Sequence, residues 1–155
     1  MELLDYNQIE IILQFILAAV LGGVIGVERE FLKKAAGLRT YVMVCSGCAL
    51  LTILSYYGFE YIGSDMDYDP SRLAAGILTG IGFIGAGTIL KKGDKIEGIT
   101  TAAGLWVAAA IGIAVGLKLY IIAIFAAVFT FIILITLRPI EFWLNKRTDR
   151  SKNID

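Results

Sequence analysis

The stretch ITTAAGLWVAAAIGIAVGLKLYIIAIFAAVFTFIILITL, residues 99–137, contains one charged side chain, Lys118. Soluble helices and strands keep a polar face, whereas a helix that crosses the hydrocarbon core needs about 20 mostly apolar residues. The stretch is long enough for two such crossings that meet at Lys118, residues 99–117 and 119–137. A single crossing beside a re-entrant segment is the alternative. Three further runs of similar length lie upstream, at 9–27, 41–59 and 73–90. The runs are unbroken and rich in Ala, Gly, Leu and Ile, without the period of two that barrel strands require. They read as helices, giving an all-α polytopic membrane protein of five spans in one transmembrane domain over 1–155.

Composition agrees. Apolar residues make up 57% of the 155 and charged residues 18%, and mean hydropathy is +0.76. Soluble domains average about 45–50% and about 25%. There is no histidine, so the commonest general base and metal ligand is missing. With two cysteines there is no disulfide framework. Net charge is zero and no dense basic face appears, which argues against a nucleic-acid partner. An enzymatic role is not expected.

Basic residues set the expected topology. Arg29, Lys33, Lys34 and Arg39 follow the first run, Lys91, Lys92 and Lys95 the third, and Arg138, Lys146, Arg147, Arg150 and Lys152 the fifth. The alternate segments carry only Arg72 and Lys118. Positive-inside bias puts the N-terminus outside and the C-terminus, with a tail over 138–155, in the cytoplasm. The start, Met1-Glu2-Leu3-Leu4-Asp5, lacks the basic region of a cleavable signal, so the first span is expected to stay. Pro139 is expected to end span five, with Phe142, Trp143, Lys146 and Arg147 in a short interfacial turn.

Seventeen glycines, most of them inside the spans, point to close helix approach. Ala18, Gly22 and Gly26 form one stripe, and Gly104, Ala108, Gly112 and Gly116 another. Span three has two: Gly76, Gly80 and Gly87 on one side, Gly82 and Gly85 on the other. Span three is therefore expected at the centre, and the Ile- and Phe-rich span five against lipid. Trp106 is expected to fill a glycine groove. Tight packing alone accounts for these stripes. The sharper reading is that Gly85-Ala86-Gly87-Thr88 unwinds and offers carbonyls to a cation. A weak parallel repeat, Gly23-Val24-Ile25-Gly26 with Gly82-Phe83-Ile84-Gly85, is equally well explained by chance.

Three motifs match only in letters. Gly80-Ile81-Gly82-Phe83-Ile84-Gly85 fits a dinucleotide fingerprint but lies within a membrane helix. Cys45-Ser46-Gly47-Cys48 fits C-x-x-C but reads as two small buried thiols. Asp65-Met66-Asp67-Tyr68-Asp69 resembles the start of a calcium loop, yet Pro70 replaces the turn glycine and Gly76 the final glutamate. An EF-hand is excluded, and a solvated acidic loop with weak attraction for divalent cations remains.

The cytoplasmic membrane face carries the candidate site. Glu28-Arg29-Glu30 follows span one directly, Arg39-Thr40 precedes span two, and Thr100-Thr101 opens span four. Charges at span ends are often plain anchors. The alternative is that Glu28 or Glu30 pairs with Arg39 across the first loop and, with the threonines, lines a polar pocket. Glycines 82, 85 and 87 would allow close approach behind it.

At these residues the sequence resembles the MgtC/SapB family. The matching blocks are Gly22-Gly23-Val24-Ile25-Gly26-Val27-Glu28-Arg29-Glu30, Ala36-Gly37-Leu38-Arg39-Thr40, Gly80-Ile81-Gly82-Phe83-Ile84-Gly85-Ala86-Gly87 and Gly98-Ile99-Thr100-Thr101-Ala102-Ala103-Gly104-Leu105-Trp106. They cover about 22–116, and span five matches only in hydrophobicity. The resemblance implies a bacterial inner-membrane protein of magnesium homeostasis, regulating other membrane proteins such as the ATP synthase. Many members add a soluble C-terminal domain, which the residues up to Asp155 do not supply. No cofactor is implied beyond Mg2+ itself, and a homodimer or other homo-oligomer is expected. The rival reading is a cation transporter or channel. Against a simple acidic relay, spans two to five hold no deep Asp, Glu or Lys, and only Glu10 and Gln14 enter span one from outside.

Overall fold

The structure is a computed structural model that describes residues 2–58, 69, 71–93 and 95–152, with side chains described for 8–56, 69, 71–93 and 95–139. Five helices follow in order: α1 (Glu2–Phe31), α2 (Leu38–Ile53, continued by a π-helical turn Leu54–Gly58), α3 (Ser71–Ala86), α4 (Ile99–Gly116) and α5 (Tyr120–Lys152). Among the described residues, four segments are long and apolar enough to cross a membrane: Gln8–Phe31, Leu38–Tyr56, Ile99–Gly116 and Tyr120–Pro139. The chain is a mostly helical, multi-pass membrane protein.

α3 is the exception. Its 16 residues rise about 24 Å, short of the roughly 30 Å hydrocarbon core. The span expected over 73–90 ends early, at Ala86. Gly87 and Thr88 form a turn, and the Thr88 hydroxyl donates back to the Gly85 carbonyl at 2.8 Å. The chain then enters an antiparallel hairpin, β1 (Leu90–Lys92) and β2 (Lys95–Glu97), with Gly93 at φ +60 in its turn. Sequence reasoning took this segment as a plain basic loop.

Glycine decides which helix is central, and it is α2 rather than span three. α2 lies between the small stripes of α1 and α4. A Cβ at Gly22 would sit 2.7 Å from the Cys45 Cβ, and one at Gly26 would sit 2.8 Å from the Leu38 Cα. On the other flank, Gly104 meets the Tyr41 ring, Gly112 meets Cys45 and Cys48, and Gly116 meets Thr52. Lipid tails are as apolar as leucine, so this close backbone contact, not exclusion from water, holds the helices together. Cys45 and Cys48 are buried, unbridged thiols at these crossings.

The pairings fix directions. Gly22 and Gly26 face Cys45 and Leu38, so α1 and α2 are antiparallel. Tyr41, Cys45 and Thr52 face Gly104, Gly112 and Gly116 in the same order, so α2 and α4 are parallel. The connection between them must therefore return across the bundle, and α3 makes that return. Ile77 and Ile81 pack with Cys48 and Ala109, and Gly85 lies against Ala102 at the start of α4.

The remaining ends are tied locally. α1 and α4 both finish with a lysine in the left-handed region, Lys33 (φ 50) and Lys118 (φ 63). In each the two following bonds close the turn: Lys33 N–H to Glu30 O and Lys34 N–H to Arg29 O, then Lys118 N–H to Val115 O and Leu119 N–H to Ala114 O. That geometry lets α5 begin at once after α4, with Lys118 paired to Glu10 at 2.8 Å. α5 does not stop at Pro139. The helix continues to Lys152 with Pro139 inside it, although an interior proline gives up one helix hydrogen bond and crowds the carbonyl four residues back. α5 is the most exposed helix on its outer face, with Ile121 and Phe125 bare.

Two expectations fall elsewhere. Trp106 is half exposed on α4 and fills no glycine groove. Residues 65–68 lie outside the described residues. Asp69 is described, and accepts from the Ser71 N–H at 2.9 Å ahead of α3. Its hydrogen bonds from Ser71 hold the carboxyl below the usual carboxylate range.

Candidate functional site

The end of α1, the start of α4 and the middle of α5, around residues 133–138, meet around a cavity of about 170 Å³. Arg29, Lys34, Thr100, Thr101 and Arg138 supply its polar lining, with Leu32, Ile133, Leu134 and Leu137 on the apolar side. Two of the three contributing segments are helix ends: α1 closes at Lys33, and α4 is preceded by Gly98 at φ +95, a conformation that glycine tolerates and that seats residue 98 against the Thr88 backbone.

Arg29 dominates the pocket. Its side chain is 4% exposed, and its Nε donates to Glu28, which is also nearly buried. Among the described residues the terminal guanidinium nitrogens have no acceptor. Thr101 is 2% exposed, and its carbonyl accepts the Tyr41 hydroxyl at 3.4 Å, while its own hydroxyl makes no hydrogen bond among the described residues. Gly98 caps α4 without a side-chain bond, so the first-turn N–H groups point outward from the helix end.

The residues picked from sequence divide into three places. Arg29, Thr100 and Thr101 line the pocket, and Glu28 supports it through Arg29. Glu30 turns away: its Oε2 accepts the Leu38 N–H at 3.0 Å and sits against Gly37, tying the first loop. Arg39 is exposed, and among the described residues it forms no ion pair with Glu28 or Glu30. The bridge across the first loop is therefore Glu30 to backbone, because Arg29, one residue from Glu28, takes that carboxylate first. Thr40 belongs to a different feature, an open apolar groove of about 660 Å³ between α2 and α3.

The glycines divide as well. Gly22, Gly26 and Gly104 are at helix crossings, and Gly85 rests on Ala102 at ordinary contact distance. Gly80 and Gly82 meet nothing within 4 Å, and Gly87 meets only its own turn, so they do not carry the close approach expected behind the pocket.

Lys34, Gly98 and Arg138 were missed as site residues. Lys34 and Arg138 had counted only toward topology, although both sit at span ends on the side that carries Thr100 and Thr101. Chemically, the pocket gathers three cations, two hydroxyls and free N–H groups. It repels a dication, and among the described residues no group of three acidic, cysteine or histidine side chains stands ready to hold a metal.

Residues 15–143 match the MgtC family. The chain is 46% identical over 137 residues to "Putative magnesium transporter YhiD" of Escherichia coli (strain K12), a match covering 87% of this chain and 64% of that protein. It is 42% identical over 123 residues to "Protein MgtC" of Brucella abortus (strain 2308), covering 79% of this chain and 49% of that protein. The chain thus spans less than two thirds of the length of these relatives. No solved structure matches it.

Proposed function

The chain belongs to the MgtC family, and from that premise we propose that it serves magnesium homeostasis in the bacterial inner membrane by lateral contact with other membrane proteins. Magnesium enters through the name of a relative, and the manner of action through the geometry.

The observation that carries the reading is on α3. Gly76-Ile77-Leu78-Thr79-Gly80 is a G-x-x-x-G element, the spacing at which membrane helices approach closely. Within the protein neither glycine meets anything within 4 Å. Both face the groove between α2 and α3, where Gly47, Met43 and Leu51 form the opposite wall. A helix of another protein laid in this groove would find on α3 the smooth surface that α1 and α4 already offer to α2.

Five crossings, with the N-terminus outside, complete the reading. Parallel α2 and α4 support α3 as a full return, with the Gly87–Thr88 turn and the hairpin making up its short length. The concentration of Lys and Arg at the pocket end supports a cytoplasmic face there.

Direct carriage of the ion is the second reading, favoured by the name that the Escherichia coli relative carries. The cationic pocket and the lack of carboxylates in residues 71–93 and 99–137 weigh against a cation path through the protein.

The test is Gly76→Leu with Gly80→Leu. The added side chains extend into open groove, so expression and thermal stability in detergent are expected to hold. Growth at limiting magnesium and in-membrane crosslinks from Met43→Cys are expected to be lost. Full growth of the double variant would overturn lateral contact, and cation flux by purified protein in proteoliposomes would favour carriage.

A further inference from the structure

We propose that the pocket between α1, α4 and α5 binds a phosphate group. This does not rest on the lateral-contact reading: growth unaffected by filling the α2–α3 groove would leave it standing.

Three independent features converge on the cavity. First, the guanidinium of Arg29 is almost fully withdrawn from solvent, yet it is held only through Nε; its terminal N–H donors have no protein acceptor among the described residues. Such donors remain available to a ligand that enters the cavity. Second, Thr101 is equally buried, and its hydroxyl is without a partner among the described residues. Third, α4 begins here with no side-chain cap, and the first-turn N–H groups with the helix dipole favour an anion. Lys34 and Arg138, both exposed, complete the ring of positive charge. Glu28 is the carboxylate in contact with the group, and it lies on the Nε side of Arg29, where it neutralises one charge and leaves the others facing the cavity.

The donor set selects the chemistry. Two guanidinium groups, an ammonium, two hydroxyls and a helix N-terminus offer more donors than chloride or the two oxygens of a carboxylate accept. A tetrahedral phosphate, with several acceptor oxygens and one or two charges, matches them, and arginine forks suit it in particular. A volume of about 170 Å³ holds such a group. The apolar flank of Leu32, Ile133, Leu134 and Leu137 is compatible with a phosphate that arrives on a phospholipid, and the open cytoplasmic side with one that arrives free.

The experiment uses the full chain purified in detergent, with thermal unfolding followed by tryptophan fluorescence. Inorganic phosphate and, separately, phosphatidylglycerol in mixed micelles are titrated at constant ionic strength, with chloride as the reference anion. At least one is expected to raise the unfolding temperature. Lys34→Gln with Arg138→Gln, both exposed, is expected to weaken the apparent affinity about tenfold or more, since each removes a charged donor from the cavity. Thr101→Val, close in shape, is expected to weaken it as well. Lys91→Gln with Lys95→Gln, basic positions outside the pocket, is expected to keep wild-type affinity. Stabilisation by phosphatidylglycerol alone identifies a lipid headgroup, and stabilisation by inorganic phosphate identifies a free phosphate. The proposal is overturned if neither ligand stabilises beyond chloride, or if the pocket variants bind as tightly as the Lys91/Lys95 variant.

Discussion

The Tyr41 hydroxyl lies where a side chain on residue 104 would begin, so the ring of α2 reaches across α4 only because residue 104 is glycine. From that position it donates to the Thr101 carbonyl at 3.4 Å, which links the central helix to the pocket at the start of α4. The ring is fully buried, so neither partner can shift without disturbing the crossing.

Glycines at the α2–α4 crossing should therefore behave unlike those on α3. Gly112→Ala places a methyl against the Cys45 carbonyl and 2.9 Å from the Cys48 Cβ, and backbone must move. Overpacking of this kind costs about 1–3 kcal/mol. Gly82→Ala meets nothing within 4 Å, and a change within about 0.5 kcal/mol is expected, as for exposed positions generally. Equilibrium unfolding in mixed micelles separates the two, and equal losses would contradict the assignment of α2 as the central helix.

Glu28 and Arg39 should act independently. Removing the Glu28 charge leaves Arg29 buried without its counter-ion, a change that costs about 3–5 kcal/mol when burial is complete. Glu28→Gln is thus expected to be strongly destabilising, and Arg39→Gln nearly silent. Exchanging the charges, Glu28→Arg with Arg39→Glu, is expected to give no rescue. Recovery in the double variant, read from unfolding midpoints, would restore the pairing across the first loop that the sequence suggested.

How much of this was legible follows from what each signal measures. Hydropathy depends on the bilayer alone, and it placed 99–117 well, since α4 runs from Ile99 to Gly116. Small-residue stripes identify smooth helix faces without naming the helix that lies on them. The stripes of α1 and α4 both turned out to serve α2, whose own sequence shows no stripe, while α3, with two stripes, leaves Gly76, Gly80 and Gly82 open. The Glu28–Arg29 contact was hidden because neighbours in sequence rarely face each other on a helix. Lys34 and Arg138 were invisible as a pair because 104 positions separate them, and only the packing of α5 along α4 brings both to one cavity.

The hairpin between α3 and α4 carries an ion pair whose pH dependence has a definite sign. Lys92 and Glu97 meet at 2.9 Å, in a register where Lys92 stands opposite Lys95 and Glu97 opposite Leu90. The hydrogen bond and charge of Lys92 lower the Glu97 carboxyl below its ordinary value. A lowered carboxyl contributes stability above its unfolded value, and that contribution is lost as pH falls through the folded one. The hairpin is therefore expected to hold from neutral pH down to the ordinary glutamate range and to loosen below it. Amide exchange at residues 90–97 measures this, and Glu97→Gln should abolish the pH step while leaving the helices unaffected. Because both side chains are well exposed, added salt should shrink the step.

Gln14 offers the sharpest test of how the end of the bundle away from the pocket is held. Its side chain is 2% exposed, and Nε2 donates to the Val115 carbonyl at 2.9 Å and toward Gly116 at 3.4 Å. Its Oε1 is buried with no partner among the described residues. The bond gained is modest: side-chain hydrogen bonds between membrane helices average about 0.6 kcal/mol. The stranded oxygen works against it, since an unsatisfied buried acceptor costs about 1–3 kcal/mol. The two effects nearly cancel or favour the apolar residue, so Gln14→Leu is expected to be neutral or to raise stability by about 1 kcal/mol, with Gln14→Glu strongly destabilising for want of a counter-charge. A loss above about 2 kcal/mol for Gln14→Leu, measured by reversible unfolding in micelles, would mean that Oε1 has a partner and that the α1–α4 contact carries a polar link beyond the one to Val115.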